Sequence, residues 1–209
     1  QAVARLDAGL DRATRLVEQL LVLARQEASA AAVSPLVAVD CDALVRQALA
    51  DAAPGAQARG IDLGLAPTCA ANGTGGCAAG LPEALRILLR NLLDNAVKYT
   101  PAGGRIDAGW RAVPGGVELW VEDSGPGIPA AERARVLGRF YRGPESAQGT
   151  QGSGLGLAIV QAIARRHGTA LTLEDAPHLV GLRAALILQA WAGSVDPHGR
   201  DTRLAPESV

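Results

Sequence analysis

Asn91-Leu92-Leu93-Asp94-Asn95-Ala96-Val97-Lys98-Tyr99-Thr100-Pro101 is the stretch around which the rest of the chain arranges itself. It completes a helix predicted over Leu81 to Tyr99 and stopped by Thr100-Pro101. On a 3.6-residue period Leu85, Leu88, Leu89, Leu92, Ala96 and Tyr99 fall on one apolar stripe, and Asn91, Asn95 and Lys98 run along its edge. Asparagine is a poor helix-interior residue, so two of them spaced i, i+4 beside a lysine ask for a reason. An amide oxygen is a hard, neutral ligand for Mg²⁺, an ion that keeps several waters and takes the rest of its shell from nucleotide phosphates. Lys98 would then neutralise phosphate charge. For the strip alone, a solvated face with ordinary asparagines is the simpler account.

Toward the C-terminus, Arg105 to Ala112 and Val117 to Asp123 alternate as two strands around the hairpin signal Pro114-Gly115-Gly116. Val117, Leu119 and Val121 alternate with Glu118, Trp120 and Glu122, which aims Asp123 to the apolar side. An inward carboxylate needs a donor. The exocyclic amine of adenine supplies one, whereas guanine would place a carbonyl oxygen there, so this residue type can select ATP over GTP. Asp123-Ser124-Gly125-Pro126-Gly127 is also plain turn chemistry. Further on, Gly152-Ser153-Gly154-Leu155-Gly156-Leu157 opens a helix predicted over Leu155 to His167, where backbone amides and the positive helix end suit phosphates. The string is neither a dinucleotide-binding fingerprint nor a P-loop, since no strand precedes it and no Gly-Lys-Ser/Thr follows. The polar run from Gly143 to Gln151 reads as a closing lid or as a solvated loop without a gating role.

Toward the N-terminus, Val3, Leu6, Leu10, Ala13, Val17, Leu20 and Ala24 recur in steps of three and four, the seam of a bundle helix. At about 28 residues this helix would be roughly 40 Å long. Leu16, Leu21 and Leu23 widen its face, which suits a four-helix bundle formed with an element outside the chain or with a second copy. A helix packed on its own globular domain is the alternative. Four segments are therefore predicted: the bundle helix over 1–28, a linker over 29–37, a main domain over 38–190 and a flexible tail over 191–209. Within the main domain, strands are expected at Leu36 to Asp40, Gly60 to Leu65, Ala170 to Glu174 and Leu182 to Leu188. A helix is expected at Asp42 to Ala53 and a variable loop at Thr68 to Gly80. Helices interleaved with hairpin strands give an α+β fold, a two-layer α/β sandwich whose mixed, largely antiparallel sheet carries helices on one face.

Composition bounds the function. The formal net charge is -1 across 209 residues, so no broad nucleic-acid footprint is expected. Every long apolar stretch is interrupted by charge, so this chain has no membrane segment in its sequence and is expected to be soluble. Cys41, Cys69 and Cys77 lie in no metal-ligand spacing and read as fillers in a reducing cytosol, with a Cys69 to Cys77 bridge the less favoured option. Methionine is absent, including at position 1, which suggests a fragment or a processed product.

Asn91 to Pro101, Asp123 to Gly127, Arg139-Phe140-Tyr141-Arg142-Gly143 and Gly152 to Val160 together resemble the N, G1, F and G2 boxes of bacterial two-component sensor histidine kinases, in family order. The chain is thereby identified as resembling the GHKL, or Bergerat-fold, ATPase superfamily. The resemblance implies ATP and Mg²⁺ as cofactors. It assigns Asn95 as metal ligand, Asn91 to metal and water positioning, Lys98 and Arg142 to the phosphates, and Asp123 to adenine, with Tyr99 near the base. Gly125, Gly127 and Ile128 would line the nucleotide, and Gly152, Gly154, Leu155, Gly156 and Leu157 would cradle its phosphates. Catalysis would rest on Asn91, Lys98 and Arg142. The N-terminal helix resembles the second helix of the dimerisation and histidine-phosphotransfer domain, which implies a homodimer, a response-regulator receiver domain as partner, and the cytoplasmic portion of an inner-membrane sensor. Chaperone, mismatch-repair and topoisomerase ATPases place an acid where Asn91 stands. A non-catalytic ATP-sensing module is the other alternative. Leu137-Gly138 replaces the aromatic that usually precedes the F box, implying a looser hinge. His167, His178 and His198 lie in no phosphoacceptor context, so the acceptor histidine is expected on a helix missing from this chain.

Overall fold

The computed structural model describes residues 14, 16–25, 35–66, 76–141 and 153–193. Residues 14 and 16–25 are helical (α1); the rest of the predicted bundle helix and linker, residue 35 onward excepted, lies outside the described residues, as does the tail from residue 194. The strands are β1 (Val37–Asp40), β2 (Asp62–Leu65), β3 (Cys77–Gly80), β4 (Arg105–Val113), β5 (Gly116–Asp123), β6 (Thr172–Asp175) and β7 (Leu182–Gln189). The remaining helices are α2 (Cys41–Ala58), α3 (Pro82–Tyr99) and α4 (Gly156–Arg166). β2-β4-β5-β7-β6 form one sheet, parallel only at β2–β4, and β1 and β3 form a separate antiparallel pair. The predicted two-layer α+β sandwich is what is observed.

The sheet's two faces are built differently. Ile106, Trp110, Val117, Leu119, Val121, Leu186 and Leu188 join the buried leucines of α3 and Ile159 and Ile163 of α4 in the main core. On the opposite face Trp120 forms a small second cluster with Ala66 and Ala185. There Arg183 donates to Glu122 Oε1 at 2.8 Å and to Glu118 Oε2 at 3.0 Å, and lies 4.8 Å over the Trp120 ring. Glu122 is fully buried, so β5 is covered on both faces.

Four local expectations change. The helix α2, capped by Asp40 through bonds from the Asp42 and Ala43 amides, runs past Ala53 and through Pro54 to Ala58. Pro54 and Ala50 are exposed, so the carbonyl that loses its partner is left to water, and buried Ala56 draws the last turn onto the domain. The second change is at residues 77–80, expected as loop, which form β3 paired to β1. Alanine and glycine show no two-residue period, and close approach explains them: a Cβ on Gly80 would lie 2.5 Å from Leu85, and one on Gly76 2.2 Å from the Trp110 ring. Tyr99, placed on the apolar stripe by periodicity, is 38% exposed because it is the last residue of α3, past the core. Finally, the broad apolar face of α1 is divided. Leu23 is buried and Leu16 and Val22 pack on the domain core, while Val17 (54%), Leu20 (38%) and Leu21 (52%) remain exposed. Cys41 and Cys77 are free thiols, and burial pushes the Cys41 thiol up to about 12.

His167 closes α4 onto the start of α3. Its Nε2 accepts from the Leu81 amide at 3.0 Å, and Nδ1 lies 2.8 Å from the Ile163 carbonyl. Only the neutral ring with the proton on Nδ1 satisfies both, so this residue is no cation for the helix dipole; desolvation lowers its pKa accordingly. A folded-state pKa below the unfolded one means that the unfolded chain takes up more protons on acidification. Urea unfolding followed from about pH 7.5 to about pH 5 should show stability lost as pH falls through the ordinary histidine range near 6.5. His167→Gln should flatten that part of the profile.

Candidate nucleotide site

α3 supplies the floor of the site. Leu85, Leu88, Leu89, Leu92, Leu93 and Ala96 bury one side of the helix, which leaves Asn91 and Asn95 half-buried at the edge. Asn91 Nδ2 donates to the Ile87 carbonyl at 2.8 Å, an i−4 bond that uses one of the amide's two N–H donors and turns its oxygen toward the start of α4. α4 starts against this pair: a Cβ on Gly156 would meet Asn91 Oδ1 and both Asn95 amide atoms at 3.4 Å. The N-terminus of an eleven-residue helix therefore faces two side-chain amides that are about sixty positions away in the chain.

Asp123 lies at the other end of the floor. It is 7% exposed at the end of β5, and its Oδ1 accepts from the Gly125 amide at 2.8 Å and the Leu182 amide at 3.4 Å. Desolvation raises its pKa against the pull of those two amides. Glycines keep the carboxylate free of neighbouring side chains. A Cβ on Gly125 would sit 2.9 Å from Asp123 Oδ1 and 3.1 Å from the Tyr99 carbonyl, and one on Gly181 would sit 2.1 Å from the Asp123 carbonyl oxygen. Gly127, at φ 72, completes the turn beside Gly181. Ile128 is half-buried next in line, and its carbonyl accepts from Arg133 Nε at 2.9 Å.

Between the two ends, Lys98 Nζ donates to the Tyr99 hydroxyl at 2.9 Å and lies 4.5 Å from that ring's centre. At the α4 end, Leu155 is fully buried and Leu157 packs on the core, so both anchor the glycine turn. Gly154, at φ 70, accepts from the Phe140 amide at 3.0 Å, and Phe140 itself has φ 60 and is 57% exposed. A left-handed backbone is costly for an aromatic residue, and the bond to Gly154 is what holds it. Arg142, Gly152 and the run from Gly143 to Gln151 lie outside the described residues.

Among the described residues no group of three or more His, Cys, Asp or Glu side chains could hold a metal ion. The donors present are neutral amide oxygens beside a helix N-terminus, a set that fits Mg²⁺ arriving with part of its shell on phosphate oxygens. Sequence reading missed Gly181, although a glycine directly before a predicted strand was its signal. It also missed the pairing of Phe140 with Gly154, which no local pattern encodes. Gly181→Ala should destabilise the fold by about 1–3 kcal/mol, the range for overpacking, because the added methyl would collide with both the backbone carbonyl and the carboxylate of Asp123; urea unfolding measures it.

A mixed sheet under three helices, with a buried carboxylate at the C-terminal end of one helix and an asparagine strip one to two turns back along it, is the architecture of the GHKL ATPases. The chain belongs to the histidine kinase-, DNA gyrase B-, and HSP90-like ATPase family, whose profile matches residues 80–191. Sensor protein QseC of Escherichia coli O157:H7 is 40% identical over 168 residues, which cover 80% of this chain and 35% of that protein. The signal transduction histidine-protein kinase/phosphatase MprB of Mycolicibacterium vanbaalenii is 50% identical over 101 residues, 48% of this chain and 20% of that one. Full-length ShkA in complex with AMPPNP superposes with a TM-score of 0.70 at 31% identity, covering 91% of this chain and 39% of that chain. This chain thus spans about a third, or less, of the curated relatives it matches.

Proposed function

We propose that this chain is the ATP-binding catalytic core of a two-component sensor histidine kinase. In this reading the γ-phosphoryl group of ATP is transferred to a histidine on a helix outside this chain, for relay to an aspartate on a response-regulator receiver domain. The observation that carries it is the span of α3: the glycine-lined Asp123 lies at its C-terminal end, and Asn91 and Asn95 meet the N-terminus of α4 further back. Asp123 accepts the adenine amine, with Tyr99, Gly125, Gly127 and Ile128 around the base. Asn95 is the Mg²⁺ ligand, Asn91 positions its water, and the turn Gly152 to Leu157 holds phosphates on backbone amides. Lys98 swings from Tyr99 to the phosphates, and Arg142 meets the γ-phosphate. Bound Mg²⁺ would supply charge neutralisation on the phosphate oxygens. An amide at position 91 cannot act as the base that activates water, which favours transfer to a protein nucleophile over ATP hydrolysis.

An acceptor outside the chain is supported by His167, which is bonded through both ring nitrogens, and by His178 in an exposed bend; His198 lies outside the described residues. The exposed Val17, Leu20 and Leu21 of α1 support dimerisation through the bundle helix. Among the described residues no helix is long and apolar enough to cross a membrane, in keeping with the cytoplasmic portion of an inner-membrane sensor. A non-catalytic ATP-sensing module is the second reading, and kinase names among the relatives weigh against it.

Asp123→Asn separates binding from folding. The asparagine oxygen still accepts the two backbone amides, but the buried charge is gone, so stability in urea should hold or rise. Calorimetric affinity for Mg-ATP should fall about tenfold to a hundredfold, the worth of a charged hydrogen bond. Joined to its upstream bundle helix and given radiolabelled ATP, the chain should place acid-labile phosphate on histidine. Nucleotide binding without phosphohistidine would favour the non-catalytic module.

A further inference from the structure

We propose that Gln19 of α1 is a positioning residue for the nucleotide site, acting through Ser153 to hold the turn that opens α4. This rests on the nucleotide-binding reading above. The Ser153 hydroxyl donates to Gln19 Oε1 and accepts from the Leu155 amide at 3.2 Å. One hydroxyl therefore links a helix residue 134 positions upstream to the backbone that caps α4. The next residue, Gly154, has φ 70 and is bonded to Phe140, and two residues beyond it a Cβ on Gly156 would reach Asn91 and Asn95 at 3.4 Å.

α1 is not merely adjacent to this turn. Leu23 is 3% exposed, and with Val17, Leu20, Leu21 and Ala24 it shares the wall of a cavity with Arg139, next to Phe140. The helix therefore lies beside both segments that meet at Phe140 and Gly154. A turn that depends on two left-handed residues has many alternatives open to it, and the bond from Gln19 removes some of them before ligand arrives. Binding free energies couple in both directions, so nucleotide at the turn must also hold α1 against the domain.

The test measures Mg-ATP affinity of the full chain by calorimetry for wild type, Gln19→Ala, Ser153→Ala and the double variant, with Glu18→Ala as a control on the exposed side of α1. Gln19→Ala should weaken binding about threefold to tenfold, the worth of a neutral hydrogen bond. The double variant should be no weaker than the worse single one, and Glu18→Ala should match wild type. Hydrogen exchange at residues 16–25 should slow when Mg-ATP is added to wild type, and not in Gln19→Ala. Additive losses, unchanged affinity in Gln19→Ala, or exchange in α1 that ignores nucleotide would each overturn the assignment while leaving ATP binding intact. A folded wild-type chain that binds no Mg-ATP would overturn both.

Discussion

One helix has to bury a stripe of leucines and keep a strip of amides at the boundary of the core, and that constraint on α3 organises the molecule. The stripe fixes the rotation of the helix between α2, α4 and the sheet. Once rotation is fixed, Asn91 and Asn95 have a single place to go, and the start of α4 packs directly against them, with Gly156 within van der Waals reach of both amides. The far end of the same helix delivers the Tyr99 carbonyl to Gly125 and so limits the space beside Asp123. Packing and chemistry share one element here, and a slip of α3 would damage both.

Much of this was legible because it is written in local patterns. The leucine period, the hairpin glycine and the alternation of β5 each have a short-range physical cause, and each led to the right element. The failures have a common origin in contacts between distant residues. β3 is a strand because it pairs with β1, while Leu85 crowds Gly80 and Trp110 crowds Gly76 just before it, so its residues are small and carry no strand signal of their own. The helix expected to end at Ala53 runs through Pro54, because burial of Ala56 outweighs one lost hydrogen bond on the wet side of α2. The candidate site was legible as three separate strings in a known order. Its closure was not, since Gly181 against Asp123 and Gly154 against Phe140 are pairings of segments, with no spacing to betray them.

The site also concentrates features that lower stability. A carboxylate sits almost out of water on two backbone amides, and an aromatic residue adopts a left-handed backbone on the surface. Neither helps the fold. Strain and desolvation of this kind persist where a ligand is expected to use them, which is the physical reason for reading these positions as functional.

The far side of the sheet has a different logic. Strands β5 and β7 could pair in several registers on hydrogen bonding alone, and alanines on β7 would fit most of them. Arg183 removes that freedom. Shifted by one residue, the guanidinium would enter the leucine core and Glu122 would be stranded without its counter-charge, so a slip that flips the strand's faces is penalised. The ion network thus acts as an index mark for strand alignment, and through the neighbouring Leu182 amide it sets how far along β5 the Asp123 carboxylate comes to rest.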